Sequence, residues 1–205
     1  EKSARTLWKT LETPFTPPDL ASETDQSLEA IDNLRTALFR MRRITLDVAA
    51  QIYPHDWTRL RPALCSVATW VGFDLDGRSD IVWTGILARR LELQIRHIED
   101  LIQRIEAIPS TGRNLSAAKT LLKDAHMQAR ALYDLFSTYD PAHDPDHAAL
   151  QKASRAMISN ADRRMIRPDR VVTHLESALA AEKNNAQRKH IIGILSSLRT
   201  EGSAH

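Results

Sequence analysis

The sequence predicts an all-α fold, and three observations carry that expectation. Apolar residues recur at intervals of three and four along three long stretches, the mark of amphipathic helices. Only 6 Gly and 9 Pro occur in 205 residues, with aromatics at 5%, so turn formers and strand formers are both scarce. No stretch alternates with period two. A chain of this length can bury a sizeable core, and it reads as a single helical domain or segment over residues 1–205.

Residues 1–21 make an extended lead-in. Its end, "ETPFTPPDLA", is proline-rich, and Trp8 in "TLWKTLE" reads as a packing residue. From Asp25 to Tyr53, Leu28, Ile31, Leu34, Leu38, Met41, Ile44, Val48 and Ile52 form one stripe. That predicts a helix of about 29 residues, ~43 Å long, with Ser22 and Asp25 as its start signal and Pro54 as its stop. A second long stripe holds Ile86, Leu87, Leu91, Ile95, Ile98, Ile102, Ile105 and Ile108, with Asp80 placed to cap its first turn and "PSTG" to end it. Residues 22–108 are thus two long helices flanking a turn from Trp70 to Asp80. Shorter helices fill 109–205: Asn114–Ser137 through Leu121, Leu122, Ala125, Leu132 and Leu135, then His147–Met165, Pro168–Ala181 and Asn185–Leu198. The long helices are expected to pack antiparallel. Their length suits a scaffold inside a larger protein, and a start on Glu1 with an end on "LRTEGSAH" suits a piece of one.

Charge is near balance, 28 Lys and Arg against 26 Asp and Glu, so no strongly basic surface is expected and nucleic acid is not an expected partner. No apolar run approaches a membrane span and no signal peptide opens the chain, so no membrane partner is expected either and the protein reads as cytoplasmic. The single cysteine, Cys65 in "PALCSVATW", reads as a buried, inert thiol. Arg40, Arg42 and Arg43 form one basic group and Arg163, Arg164, Arg167 and Arg170 another; solvated faces or internal carboxylate partners account for both. "HDPDH" (His143 to His147) holds zinc-type ligands, but nearby prolines mark a solvated turn and no second pair lies close. His126, His174 and His190 stand singly on helices, as surface or satisfied core histidines do.

One stretch departs from plain helix. "TWVGFDLDGRSDIVW" (69–83) puts Asp74 and Asp76 beside Gly72 and Gly77, with a tryptophan near each end. A calcium loop fails on spacing: counted from Asp74, position five is Arg78, glycine falls at four and position twelve is Gly85. A phosphate-cradling loop fails too, lacking the glycine density and the Lys-Ser/Thr ending. A capped turn between helices, with Gly77 left-handed, is the plain structural reading.

Across "SVATWVGFDLDGRSDIVWTGILARRLEL" the chain resembles phosphoenolpyruvate carboxylase. That family carries a Ser/Thr-Trp-x-Gly-Gly-Asp-Arg-Asp-Gly-Asn-Pro-x-Val-Thr motif, then a long helix rich in Leu and Arg. Thr69, Trp70, Gly72, Asp74, Asp76 and Gly77 match it, and Ile81 nearly matches the valine. The preceding helix, "IDNLRTALFRMRRITLDVAAQIY", is similar in placement and character. Leu75 replaces the family's arginine, Phe73 its second glycine, and Arg78 and Ser79 its asparagine and proline. Loss of a guanidinium between two carboxylates removes their natural partner; Arg78 is the nearest replacement in sequence.

The resemblance implies Mg²⁺-dependent carboxylation of phosphoenolpyruvate by bicarbonate, giving oxaloacetate and phosphate. It implies an α/β barrel surrounded by helices and a homo-oligomer, a tetramer in the family. Trp70 would line the apolar side of the enolpyruvate pocket, shielding reactive species from water. Gly72, Asp74, Asp76, Gly77 and Arg78 would shape the motif loop and hold nearby arginines. The family's Thr-Ala-His-Pro-Thr histidine, metal carboxylates and arginine-rich loops are absent from the chain. The chain is therefore expected to be a helical segment of the larger enzyme, with no catalytic residue of its own and the Mg²⁺ ligands elsewhere in the parent chain. Two other readings stand beside it: a helical interaction or scaffold module, and a carboxylase-like protein with an altered active site.

Overall fold

Asp19 opens the described structure, a computed structural model covering residues 19–73, 80–109, 112–140, 142–159 and 168–201. Asp74, Leu75, Asp76, Gly77, Arg78 and Ser79 lie outside the described residues, as do Trp8, Arg163, Arg164 and Arg167. Among the described residues there are six α-helices and no strand, so the all-α class holds.

Helix α1 (Leu20–Ile52) begins where Asp19 accepts hydrogen bonds from the Ser22 amide (2.8 Å) and hydroxyl (3.1 Å). Those bonds hold its carboxyl below the ordinary carboxylate range. The start is thus earlier than the expected Ser22–Asp25, and the expected extended lead-in lies, up to residue 18, outside the described residues. Asp19 sits three residues ahead of Ser22, the spacing that satisfies an otherwise orphaned helical N–H. The stripe read from the sequence divides. Leu28, Ile31 and Leu38 are buried, but further along Phe39, Arg42, Leu46 and Ala49 face inward. Leu34, Met41, Ile44, Val48 and Ile52 are exposed. The two sets lie roughly a third of a turn apart on a helix of ~3.6 residues per turn, and the C-terminal helix (Asn185–Glu201) chose between them.

After α1, a short 3₁₀ turn (Trp57–Arg59) buries Trp57, and the chain then runs on without a helix or strand to Phe73. Cys65 is exposed on this stretch, contrary to the expectation of burial. With no helix to give its neighbours a common inward face, Ala63, Leu64 and Ala68 are exposed as well. Helix α2 (Trp83–Glu106) begins on Val82 without a side-chain cap. Asp80 is two residues too early to reach its first-turn amides.

Helices α3 (Arg113–Thr138), α4 (Ala148–Ser159), α5 (Pro168–Ala181) and α6 (Asn185–Glu201) follow; all start close to where expected, and the expected end of α4 at Met165 lies outside the described residues. Glu106 meets Lys119 (3.6 Å) and Lys123 (3.9 Å), while Glu99 meets His126 (2.8 Å), so α2 and α3 pack antiparallel as expected. Helices α1 and α2 do not. Asp32 pairs with Arg96 (2.8 Å) and Phe39 lies under the Arg104 guanidinium (3.9 Å to the ring centre), so both helices run the same way. Residues 53–73 cause this: they carry the chain back along α1, and Thr69 reaches the Ser27 hydroxyl at 2.6 Å on the way. A short turn reverses direction; a connection of this length restores it.

The main core gathers Phe39, Leu46, Trp57, Ile98, Leu101, Leu122 and Leu175 around α6, whose residues Ile191 to Leu198 are all buried. Each fully buried leucine or isoleucine there is worth ~1.5–3 kcal/mol. A second, small core of Leu28, Ile31 and Leu93, with Val67 and Phe73 against it, closes the other end between α1 and α2.

Arg42 is fully buried, so the solvated face, one of its two expected settings, does not hold; it donates to the hydroxyls of Ser197 (2.7 Å) and Thr200 (2.8 Å) on α6. Arg40, Arg43 and Arg170 are exposed. In the "HDPDH" turn, His143 pairs with Asp140 at 2.8 Å, and Tyr139 hydrogen-bonds His147. No helix among the described residues is long and apolar enough to cross a membrane.

Candidate functional site

A cleft of about 350 Å³ opens where the returning chain passes between α1 and α2. It exists because the two parallel helices approach closely at few points, leaving long side chains to bridge them. Ile31 and Leu93 form its floor with Val67 and Phe73, while Arg35 from α1, Arg90 from α2, and Ala68, Thr69 and Trp70 complete the lining.

The returning chain is fixed in place residue by residue. The Thr69 and Ser27 hydroxyls are hydrogen-bonded, and the Val71 amide donates to Thr69 Oγ1 at 3.2 Å. The Phe73 amide then donates to the Trp70 carbonyl at 3.2 Å, closing a turn in which Gly72 has φ +82°. That left-handed conformation at the third turn position is what glycine supplies. Space is not the constraint, because an added Cβ would meet only Arg89 atoms at 3.6 Å. The motif's first glycine therefore makes the described turn; Gly77, expected to be left-handed, lies outside the described residues.

The turn holds the Trp70 indole outward: it is 76% exposed. This excludes the core role that an isolated tryptophan on such a segment invites. Phe73, by contrast, is half-buried against Leu28, Ile31 and Leu93, so the phenyl ring standing where the resembled family has glycine fills the floor of the cleft.

Charge is distributed unevenly around it. Arg35, Arg89, Arg90 and Arg96 stand with Asp32 and Glu92. Arg96 takes Asp32 at 2.8 Å and approaches Glu92 at 4.0 Å; Arg89 takes Glu92 at 2.7 Å; the buried Arg35 lies 3.6 Å from Asp32, beyond a good hydrogen bond. Arg90 has no carboxylate within ion-pair distance among the described residues. The described part of the site is therefore cationic, over an apolar floor, beside an exposed aromatic face. That combination suits a small organic anion: guanidiniums take carboxylate or phosphate oxygens, and the ring and floor take a hydrocarbon part.

Of the residues singled out by sequence, the structure brings Trp70 and Gly72 to this cleft; Asp74, Asp76, Gly77 and Arg78 lie outside the described residues. Sequence reasoning missed Arg35 and Arg90. Arg35 carried a signal, as an arginine set among Ile31, Leu38 and Arg42 on the inward face of α1. The described residues do not fit a magnesium site. No group of three or more potential ligands occurs among them, and Asp32 and Glu92 are already engaged by arginines. No family model, curated protein or solved structure matches this chain.

Proposed function

We propose that the cleft beside Trp70 binds a small organic anion, and that the chain is the helical part of a phosphoenolpyruvate carboxylase-like enzyme, walling its substrate pocket without being catalytic alone. The observation that carries this reading is an exposed indole standing beside Arg35 and Arg90 above an apolar floor. Phosphoenolpyruvate has the complementary parts: carboxylate and phosphate for guanidiniums, and a methylene for the floor. A cleft of about 350 Å³ suits a metabolite of that size. Bicarbonate, Mg²⁺ and the acid-base groups for carboxylation would come with the remainder of a larger barrel enzyme. An altered active site is part of this proposal, since Phe73 occupies room that the resembled motif leaves open.

The test is titration of the chain with phosphoenolpyruvate, followed by calorimetry and tryptophan fluorescence. Binding should weaken at least tenfold in Arg90→Gln and in Trp70→Ala, with thermal stability of both variants within ~0.5 kcal/mol of wild type, because both side chains are exposed. No oxaloacetate should form. Binding that ignores Arg90→Gln, or a Trp70→Ala variant that unfolds, overturns the assignment. A helical interaction module is the second reading, favoured by the exposed apolar face of α1.

A further inference from the structure

The exposed face of α1 has a pattern of its own. Leu34, Met41 and Val48 recur every seven residues, and Ala37, Ile44 and Gln51 lie three residues after each. All six are exposed, along a continuous helix, with Ile52 beside the last. A seven-residue repeat of this kind, in the a and d positions, is the seam of a coiled coil rather than the broader face that packs into a globular core. The adjoining edge, one residue before each a position, carries Asn33, Arg40 and Asp47, also exposed.

We infer that α1 pairs with α1 of a second copy of this chain, antiparallel, with Met41 of each copy packed on Ile44 of the other. Charge selects both the occupant and the register. In an antiparallel pair an a residue faces a d residue, and the edge residues of the two copies face each other. Setting Met41 on Ile44 also sets Ala37 on Val48 and Leu34 on Gln51. It brings Arg40 of one copy to Asp47 of the other, twice by symmetry. Shifting one way by a heptad places Asp47 on Asp47; shifting the other way places Arg40 on Arg40. A parallel pair would face Arg40 with Thr45 and Asp47 with Ile52, with no ion pair. Only one register has matched charges. Asp47 already accepts from Lys189 within its own chain at 2.6 Å, through Oδ1, and a carboxylate has capacity for a second donor. The interface is isologous and closes on itself, so it yields a dimer rather than a filament. It is independent of the cleft, since none of its residues lines it.

Sedimentation equilibrium of the full chain from about 1 to about 300 µM tests this, a range in which a contact of the smaller interface class dissociates. Mass should rise from monomer toward dimer. Ile44→Glu, on an exposed side chain, should remain monomeric with an unchanged circular dichroism spectrum. Arg40→Asp and Asp47→Arg should each be monomeric alone and form a heterodimer when mixed, because the mixture restores both pairs. A wild-type chain that stays monomeric throughout assigns the face to some other partner and overturns the proposal. So does a dimer that survives Ile44→Glu, or a mixture that fails to associate. Phosphoenolpyruvate binding can be present or absent in any of these outcomes, so the two proposals fail separately.

Discussion

Gly193 shows how tightly single atoms are set in this molecule. It lies within the buried run of α6, and a Cβ there would stand 2.7 Å from Phe39 Cε2. The phenyl ring cannot retreat freely: the Arg104 guanidinium covers one face at 3.9 Å and the His190 ring meets it at 5.1 Å. Gly193→Ala should therefore destabilise by ~1–3 kcal/mol through overpacking, although alanine is the better helix former. In a chain of this size that is a fall in melting temperature of very roughly 2–12 °C. Scanning calorimetry of the variant checks it, and an unchanged or higher melting point would show that Phe39 has room to move. Nothing in the sequence around "HIIGILSS" reveals this contact, because Phe39 is 154 positions away (193 − 39).

Helix docking depends on a similar long-range pair. Arg42 of α1 is buried against α6, and its partners include two hydroxyls that already donate to their own helix: Ser197 to the Gly193 carbonyl and Thr200 to that of Ser196. Removing the guanidinium strands no hydroxyl proton. Arg42→Met, which keeps most of the packing, should cost less than Arg42→Ala. Arg42→Ala should cost ~2–5 kcal/mol through the space it leaves. Urea unfolding of the two variants separates volume from charge. Equal losses in both would mean that the charge itself holds α1 to α6. The same element explains a misreading: a stripe including Met41, Ile44 and Val48 fits a helix face well, yet the inward face is the one containing Arg42.

Stability of the whole molecule should depend on pH through His190, which sits where α1, α2 and α6 meet. Its Nε2 lies 2.8 Å from the Arg104 carbonyl, to which it donates. Burial depresses its pKa below the ordinary 6.5, opposed by the hydrogen bond to the Arg104 carbonyl and reinforced by repulsion from Arg43 and Arg104. The unfolded chain then binds this proton more readily than the folded one. Its contribution to stability is complete above about pH 6.5 and is lost as pH falls through that value toward the folded pKa. Urea midpoints between about pH 5.5 and 7.5 avoid the carboxylate range. The decline toward acid should be shallower in His190→Gln, which retains a donor for the Arg104 carbonyl. An identical slope in the variant would remove His190 as its source.

Helix type and most boundaries were legible in the sequence because they depend on near neighbours. The stripe from Ile86 to Ile108, the stop before Pro54 and the bounds of Pro168–Ala181 all follow from residues within a few turns of one another. A turn following Trp70 was legible for the same reason, although the glycine expected to be left-handed was Gly77 and the one that is so among the described residues is Gly72. Direction and exposure were not. Whether α1 and α2 run parallel depends on the path of residues 53–73, which carry no period. Whether Cys65 or Trp70 is buried depends on which distant surface that path lies against. Arg35 and Arg90 come from different helices, and no spacing within either one announces that they share a cleft. A helix can be read from its own sequence because its hydrogen bonds close within four residues. Which face it buries, and what it encloses with another helix, is decided by contacts across scores of residues, and those only the tertiary structure supplied.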